Sequence, residues 1–348
     1  MKTYTYSQTY RIVLTLLLAL SLVACNDSTG PSTTMWGSGN KQPKIGLVLG
    51  GGGAKASAEI GVLKKLEEMG IKVDCIAGSS MGAVIGSLYA AGYSASEIEK
   101  FMLWEDWMKI FDKKKIFNTI NIDLETNYDQ HHSDLGLVVR PYLQEKLDAV
   151  LSKKGGHLFE GLKIPFRCTA TIAEKYSNLE EYTFQEGVVA TGVIASMSHP
   201  CYIFAWEHEG MNLYDGGILN NLPVNLVDSM HADIIIAVDI ENSKKIRTDE
   251  FASLLKTKYP LPYQFITTKI ESLSYGKPIL NWLTGSQDIG KREQFIERAK
   301  TDDSFIYIHV DLDKYSVADF NNDSIGKMID LGEKAAEAHR AELEKILK

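Results

Sequence analysis

Three short segments carry residues whose types and spacing could do chemistry. The first is Gly78-Ser79-Ser80-Met81-Gly82, a G-x-S-x-G pattern. A serine on a sharp strand-to-helix turn stands clear of the sheet, and only small flanking residues avoid a clash there. The N-terminus of the following helix then faces the negative charge that develops on an attacked carbonyl. Ser80 is the candidate nucleophile, and Ser79 fills the x position. The second segment is Gly50-Gly51-Gly52-Gly53-Ala54-Lys55. Consecutive glycines expose backbone N–H groups and let a ligand approach the main chain. The third is Tyr214-Asp215-Gly216-Gly217, an acid after a short strand. By itself this is a common turn.

The glycine segment has two chemical readings. As a phosphate or dinucleotide cradle, Gly51-x-Gly53-x-x-Ala56 meets a loose fingerprint, with Asp74 near the distance expected of a ribose-binding acid. A Walker loop is excluded, because no glycine precedes Lys55 and Ala56 stands where Ser or Thr is required. As an oxyanion hole, the amides of Gly51, Gly52 and Gly53 would hold a tetrahedral acyl intermediate. The serine turn about 25 residues later favours the oxyanion reading. Neighbouring parallel strands would bring both turns to one carboxyl edge of a sheet.

The elements that would position these groups alternate. Ile45–Leu49 is a continuous apolar run, as expected of a buried parallel strand. Ala58–Met69 has apolar residues at helical spacing and ends at Gly70. Further strands are expected at Val73–Ala77, Phe166–Thr171, Asn212–Tyr214, Ile234–Asp239 and Phe305–Val310. Helices are expected at Met81–Ala91, Ser96–Trp107, Pro141–Ser152, Val188–Ser196 and Ile325–Leu347. This alternation predicts an α/β fold with a mainly parallel sheet and helices on both faces. Residues 44–348 read as one domain. Residues 101–155, with Trp104, Trp107, Lys113–Lys115 and His131-His132, read as a cap or insertion. Residues 245–300 read as an irregular helical stretch.

Composition removes several functions. The chain has 348 residues, 37 basic and 45 acidic, for a net charge of −8. That balance gives no electrostatic footprint for nucleic acid. Four cysteines without a C-x-x-C pair make neither a disulfide scaffold nor a thiolate zinc site. The His131-His132 pair has no third ligand at useful spacing, so no metal is expected, and no cofactor is implied. The N-terminus reads as an address. Lys2 and Arg11 precede an apolar run, Ile12–Ala24, that is too short for a membrane span, which needs about 20 residues. Leu22-Val23-Ala24-Cys25 resembles the bacterial lipoprotein processing box. By that resemblance residues 1–24 are a signal peptide and Cys25 becomes a lipidated N-terminus. Residues 25–43, rich in Ser, Thr and Gly, form a flexible tether. The expected location is the bacterial cell envelope, with Asn26 after Cys25 favouring the outer membrane.

The three chemical segments, in this order, resemble the patatin-like phospholipases, a family of Ser-Asp acyl hydrolases with the patterns G-G-G-x-[KR]-G, G-x-S-x-G and D-G-[GA]. Here they read Gly51-Gly-Gly-Ala-Lys-Ala56, Gly78-Ser-Ser-Met-Gly82 and Asp215-Gly-Gly217. Ile60-Gly-Val-Leu63, Ala195-Ser-Met-Ser-His-Pro200, Leu219-Asn-Asn-Leu-Pro223 and Ala232–Asp239 match its bacterial branch, so the likeness covers about residues 44–348. Two positions depart from the pattern. Ala56 replaces the family glycine, a change expected to tighten or distort the oxyanion loop, and Glu59 stands where many bacterial relatives have His, at a position expected to be peripheral.

The resemblance implies a three-layer α/β/α sandwich and a dyad in which Asp215 takes the Ser80 proton directly. It implies an oxyanion hole of Gly51, Gly52 and Gly53, with Lys55 orienting the loop or meeting a phosphate. The substrate would be a membrane phospholipid or lysophospholipid, and the membrane itself would be the partner through the lipid anchor. His199, near a turn, could approach the site and complete a triad instead. Two other functions stay open at this level: a catalytically silent lipid- or protein-binding lipoprotein, for which Ala56 is the support, and a nucleotide-binding enzyme using the glycine loop.

Overall fold

The computed structural model describes residues 42–103, 140–172, 179–199, 206–242 and 289–347. The signal peptide, Cys25 and the tether therefore lie outside the described residues, as do His131, His132 and most of the expected cap. Elements are numbered here over the described residues of the unit Pro43–Lys348.

The sheet has eight strands: β1 (Ile45–Leu49), β2 (Cys75–Ser79), β3 (Phe166–Ile172), β4 (Glu180–Phe184), β5 (Trp206–His208), β6 (Met211–Asp215), β7 (Ile234–Asp239) and β8 (Phe305–His309). Hydrogen-bonded neighbours run β5-β6-β3-β2-β1-β7-β8, with β4 also on β3. The run from β3 to β8 is parallel. The β4, β5 and β6 ladders are antiparallel, so the sheet is mixed. β4 and β5 are short, polar and half exposed, which hides them from a search for apolar runs.

Side chains alternate across the central strands, which makes three layers. On one face Leu47, Leu49, Ile76, Ile236 and Ile308 join a large core with the helices α1 (Ser57–Glu68), α2 (Met81–Ala90), α3 (Ala95–Met102), α5 (Val189–Ser196) and α9 (Asn322–Ala338). On the other face Val48, Ala77, Ala237 and Phe305 pack on α7 (Val224–Ser229) and on Phe295 and Ala299 of α8 (Ile289–Thr301). The remaining helices are α4 (Arg140–Ser152), α6 (Gly217–Asn220) and α10 (Arg340–Leu343). The three-layer α/β/α sandwich expected of the sequence is thus the observed one.

Local chemistry sets several boundaries. Ser94 and Glu97 form a reciprocal capping box that starts α3. The single long helix expected to the C-terminus breaks at His339, where α9 stops and α10 begins. α1 and α9 cross at two glycines. A Cβ at Gly61 would lie 2.0 Å from Ile329 O, and one at Gly332 would lie 1.8 Å from Ala58 O. This close crossing fixes the helix that follows the glycine loop.

Candidate active site

The register of β3 explains how Ser80 meets Asp215. β2 pairs with Phe166–Thr169, and β6 pairs with Ala170–Ile172. β4 pairs with Cys168–Ile172, overlapping both, so it takes the opposite edge. β2 and β6 therefore share one edge of β3 and run toward each other. Ser79 sits beside Thr169 and Asp215 beside Ala170. Two segments 135 residues apart end nose to nose, and the Ser80 hydroxyl donates to Asp215 Oδ2 at 2.7 Å.

The serine turn has the shape its sequence predicts. Ser80 lies between β2 and α2 with φ 51° and ψ −124°, a backbone conformation strained for any residue but glycine. A Cβ at Gly78 would lie 2.7 Å from Ala83 Cα, and one at Gly82 would lie 2.4 Å from Gly50 O. Both positions of the motif are therefore closed to larger residues. Ser79 is fully buried and its hydroxyl has no hydrogen-bond partner, which separates it from the reacting position.

Asp215 is the last residue of β6 and 1% exposed. Its Oδ1 accepts the Gly217 N–H at 2.8 Å, its own N–H donates to Ser198 O at 3.0 Å, and its carbonyl accepts the Thr171 hydroxyl at 2.9 Å. Gly216 packs so closely on β3 that a Cβ there would lie 2.2 Å from Thr169 O. Burial pushes the carboxyl up to about 7, with the Ser80 and Gly217 hydrogen bonds opposing the shift. A carboxyl poised near neutrality can accept a proton from a serine, which one at its ordinary value of 3.8 does poorly.

The glycine loop lies against the serine. A Cβ at Gly51 would lie 3.0 Å from Ser80 Cβ and 2.3 Å from Asn221 Oδ1. Asn221 grips the loop twice: its carbonyl accepts the Gly51 N–H at 3.1 Å, and its Nδ2 donates to Gly51 O at 3.0 Å. The same Nδ2 donates to Glu241 just beyond β7. The Gly51 amide is thus occupied, whereas those of Gly52 and Gly53 donate to no protein acceptor among the described residues. Gly53 has φ +56°, and Val317 covers it, accepting the Ala54 N–H at 2.8 Å.

Other named residues fall differently from expectation. Lys55 is 3% exposed and its ammonium donates to Asn242, so it is neither a surface lysine nor placed to meet a phosphate from solvent. Burial lowers its pKa, with Asp313, Glu241, Asp239 and Asp319 opposing. Glu59 is not peripheral. It is fully buried beside Gly50 with neither oxygen in a hydrogen bond of good geometry, and burial drives its carboxyl well above the usual range. Ala56 has φ −59° and ψ −15°, an ordinary right-handed conformation that needs no glycine. Asp74 accepts from Ile45 N–H at the start of β1, roughly 16 Å of strand from the glycine loop, which removes the dinucleotide reading. Desolvation pushes the His199 imidazole down to about 3, so it is neutral, and Ser80 bonds Asp215 without an intervening histidine. Asn221 and Ser196, whose hydroxyl accepts the Ser80 N–H at 2.9 Å, belong to segments the sequence marked only as matching stretches. Neither residue type announces such a role.

No group of three or more metal-ligating side chains is gathered among the described residues, and none of their helices is long and apolar enough to cross a membrane.

Comparison with known proteins places the chain in a family. An uncharacterised NTE family protein of Mycobacterium bovis is 34% identical over 208 residues, covering 59% of this chain and 51% of that one. Human patatin-like phospholipase domain-containing protein 6 is 33% identical over 56% of this chain and 13% of its own. Lysophospholipase NTE1 of Coccidioides immitis is 29% identical over 79% of this chain and 16% of its own. The chain thus spans about half the length, or far less, of these relatives. Among solved structures, human GIVD cytosolic phospholipase A2 aligns over 88% of this chain and 61% of its own at 10% identity and a TM-score of 0.43. Residues 47–228, more than half of the chain, match the family model for patatin-like phospholipase, and the protein belongs to that family.

Proposed function

We propose that the protein is a serine acyl hydrolase that releases fatty acids from membrane phospholipids or lysophospholipids. The observation that carries this reading is the 2.7 Å hydrogen bond from Ser80 to a buried Asp215 poised near pH 7. Ionised Asp215 takes the Ser80 proton as the serine oxygen attacks an ester carbonyl, forming an acyl-enzyme. The protonated Asp215 then gives that proton to the departing alcohol. Water, deprotonated in turn by Asp215, attacks the acyl carbon; the fatty acid leaves as Asp215 returns that proton to the Ser80 oxygen. The oxyanion falls to the Gly52 and Gly53 amides; Gly51 can contribute only by letting go of Asn221. Loss of one such donor typically costs about 3 kcal/mol of transition-state stabilisation.

Lipid as the substrate class is supported by family membership and by the lysophospholipase among the relatives. A silent binding protein keeps no support, since Ala56, its one ground in the sequence, sits in an unstrained helical turn. The test follows free fatty acid from mixed phospholipid and lysophospholipid with residues 26–348, Ser80→Ala and Asp215→Asn. Release by the wild type alone, with all three folded, supports the dyad. Equal release or equal silence overturns it.

The same reading extends to the N-terminus: Cys25 is lipidated and holds the domain at a membrane of the bacterial cell envelope, the outer one favoured. Cys25→Ser is expected to move the protein from the membrane fraction to the soluble one. Unchanged membrane association of that variant would remove the anchor.

A further inference from the structure

We infer that Ser196 is a positioning residue that holds the two halves of the dyad in register. The inference rests on the acyl hydrolase reading and concerns a residue outside its chemistry. Ser80 and Asp215 arrive on strands that meet end to end along β3, and no backbone hydrogen bond joins the two turns directly. Something must set their relative position to within a fraction of an ångström. The last turn of α5 does so. Ser196 Oγ accepts the Ser80 N–H at 2.9 Å, while Ser196 O accepts the Gly216 N–H at 3.0 Å. One fully buried residue thus touches the backbone of both turns, through its hydroxyl on one side and its carbonyl on the other.

The surroundings make this contact firm. Two residues on, Ser198 O accepts the Asp215 N–H at 3.0 Å, and the Ser198 hydroxyl ties back to Ile194 O at 2.8 Å. Of the C-terminal carbonyls of α5, Val193 O, Ile194 O and Ala195 O are taken up by Met197 and Ser198 just past the helix, which leaves Ser196 O for the Asp215 turn. The Ser80 backbone is strained, and such a conformation persists only when neighbouring contacts over-determine it. The Ser196 hydroxyl supplies one of those contacts. It also takes up the Ser80 amide, which removes that N–H from the possible oxyanion donors.

The test compares wild type, Ser196→Ala, Ser196→Thr and Ser80→Ala as full-length proteins. Two quantities are read: steady-state hydrolysis of lysophosphatidylcholine, and the titration of the Asp215 carboxyl by carbon-detected NMR. Removing the hydroxyl is expected to lower kcat by about 10- to 100-fold with KM within about threefold, because the nucleophile is displaced and not the binding surface. Since the Ser80 hydrogen bond holds the Asp215 titration down, the same variant is expected to move that midpoint upward, in the direction of Ser80→Ala. Ser196→Thr keeps the oxygen and is expected to recover most of kcat and the wild-type midpoint.

A Ser196→Ala protein with wild-type kcat and midpoint overturns the inference. So does a fall in kcat with an unmoved midpoint, which a merely structural role would give. If Ser196→Ala does not fold, Ser196→Cys, with a weaker acceptor, decides by the same two readouts. If the wild type shows no Ser80-dependent hydrolysis yet the midpoint still moves, the positioning stands and the hydrolase reading falls.

Discussion

Replacing Asp215 with Asn should kill the enzyme and stabilise the protein, increasingly so as pH rises. In the folded state the carboxyl is 1% exposed and pushed by burial from an ordinary value of 3.8 up to about 7. A carboxyl with a raised folded pKa favours folding fully below its unfolded value and loses that contribution as pH rises through its folded value. Below pH 4 both states are protonated and no penalty applies. Between pH 4 and 7 the unfolded chain ionises while the folded one does not, so wild-type stability falls by about 1.4 kcal/mol per pH unit. Above pH 7 both are ionised and the penalty levels off. The interval from 3.8 to about 7 is about 3 pH units, or about 4 kcal/mol in all. Asn keeps the shape and cannot ionise. Chemical denaturation of both proteins from pH 5 to 8.5 should show Asp215→Asn gaining on wild type across this window and then holding a constant lead. In parallel, wild-type kcat/KM should rise about tenfold per pH unit below 7 and flatten above, as the base ionises. A stability difference that does not change with pH would refute the claim that the carboxyl is buried and poised. A pH–rate profile already flat at pH 5 would refute its role as the base.

Other changes follow from the same geometry. Ser80→Gly should be as inactive as Ser80→Ala but more stable by about 1–2 kcal/mol in thermal unfolding, because glycine tolerates φ 51° and ψ −124°. Asn221→Ala keeps the backbone bond to the Gly51 N–H but removes the Nδ2 bond to Gly51 O, so it should loosen the glycine loop and lower kcat about tenfold on a soluble ester, with the dyad still labelled by a fluorophosphonate probe. Lys55→Met should leave the ratio of activities on zwitterionic and anionic head groups unchanged, since the ammonium is buried on Asn242. A changed ratio would restore it as a phosphate contact. Glu59→Gln, which removes a carboxyl that burial drives well above its usual range, should raise the melting temperature at pH 8 and leave it unchanged at pH 4.

Much of this protein is legible in its amino-acid order, because the relevant physics is local. Short apolar runs such as Ile45–Leu49 and Ile234–Asp239 are the pattern of strands buried on both faces, and both are observed at the bounds expected. Gly78 and Gly82 around Ser80 encode a turn that excludes a Cβ within five residues of chain. Once β1 and β2 are taken as parallel neighbours, the glycine loop and the serine turn must share an edge. What stayed hidden is what depends on segments far apart in the chain. β4 and β5 are polar edge strands whose only signal is their partner. The burial of Glu59 and Lys55 follows from elements that close over the loop long after it is made, Lys55 reaching Asn242 and Gly53 lying under Val317. The contact between Ser80 and Asp215 is the clearest case. The sequence by itself pointed to Ser80 through the G-x-S-x-G motif, and to Asp215 only through the ordered resemblance to a family, since Asp-Gly-Gly alone is a common turn. Only the tertiary structure decided that they touch, because that requires β2 and β6 to meet along one edge of β3 and a buried Ser196 to bridge their ends. The tuning of Asp215 to about 7 was likewise out of reach of the sequence, since it is set by the water excluded when those layers close.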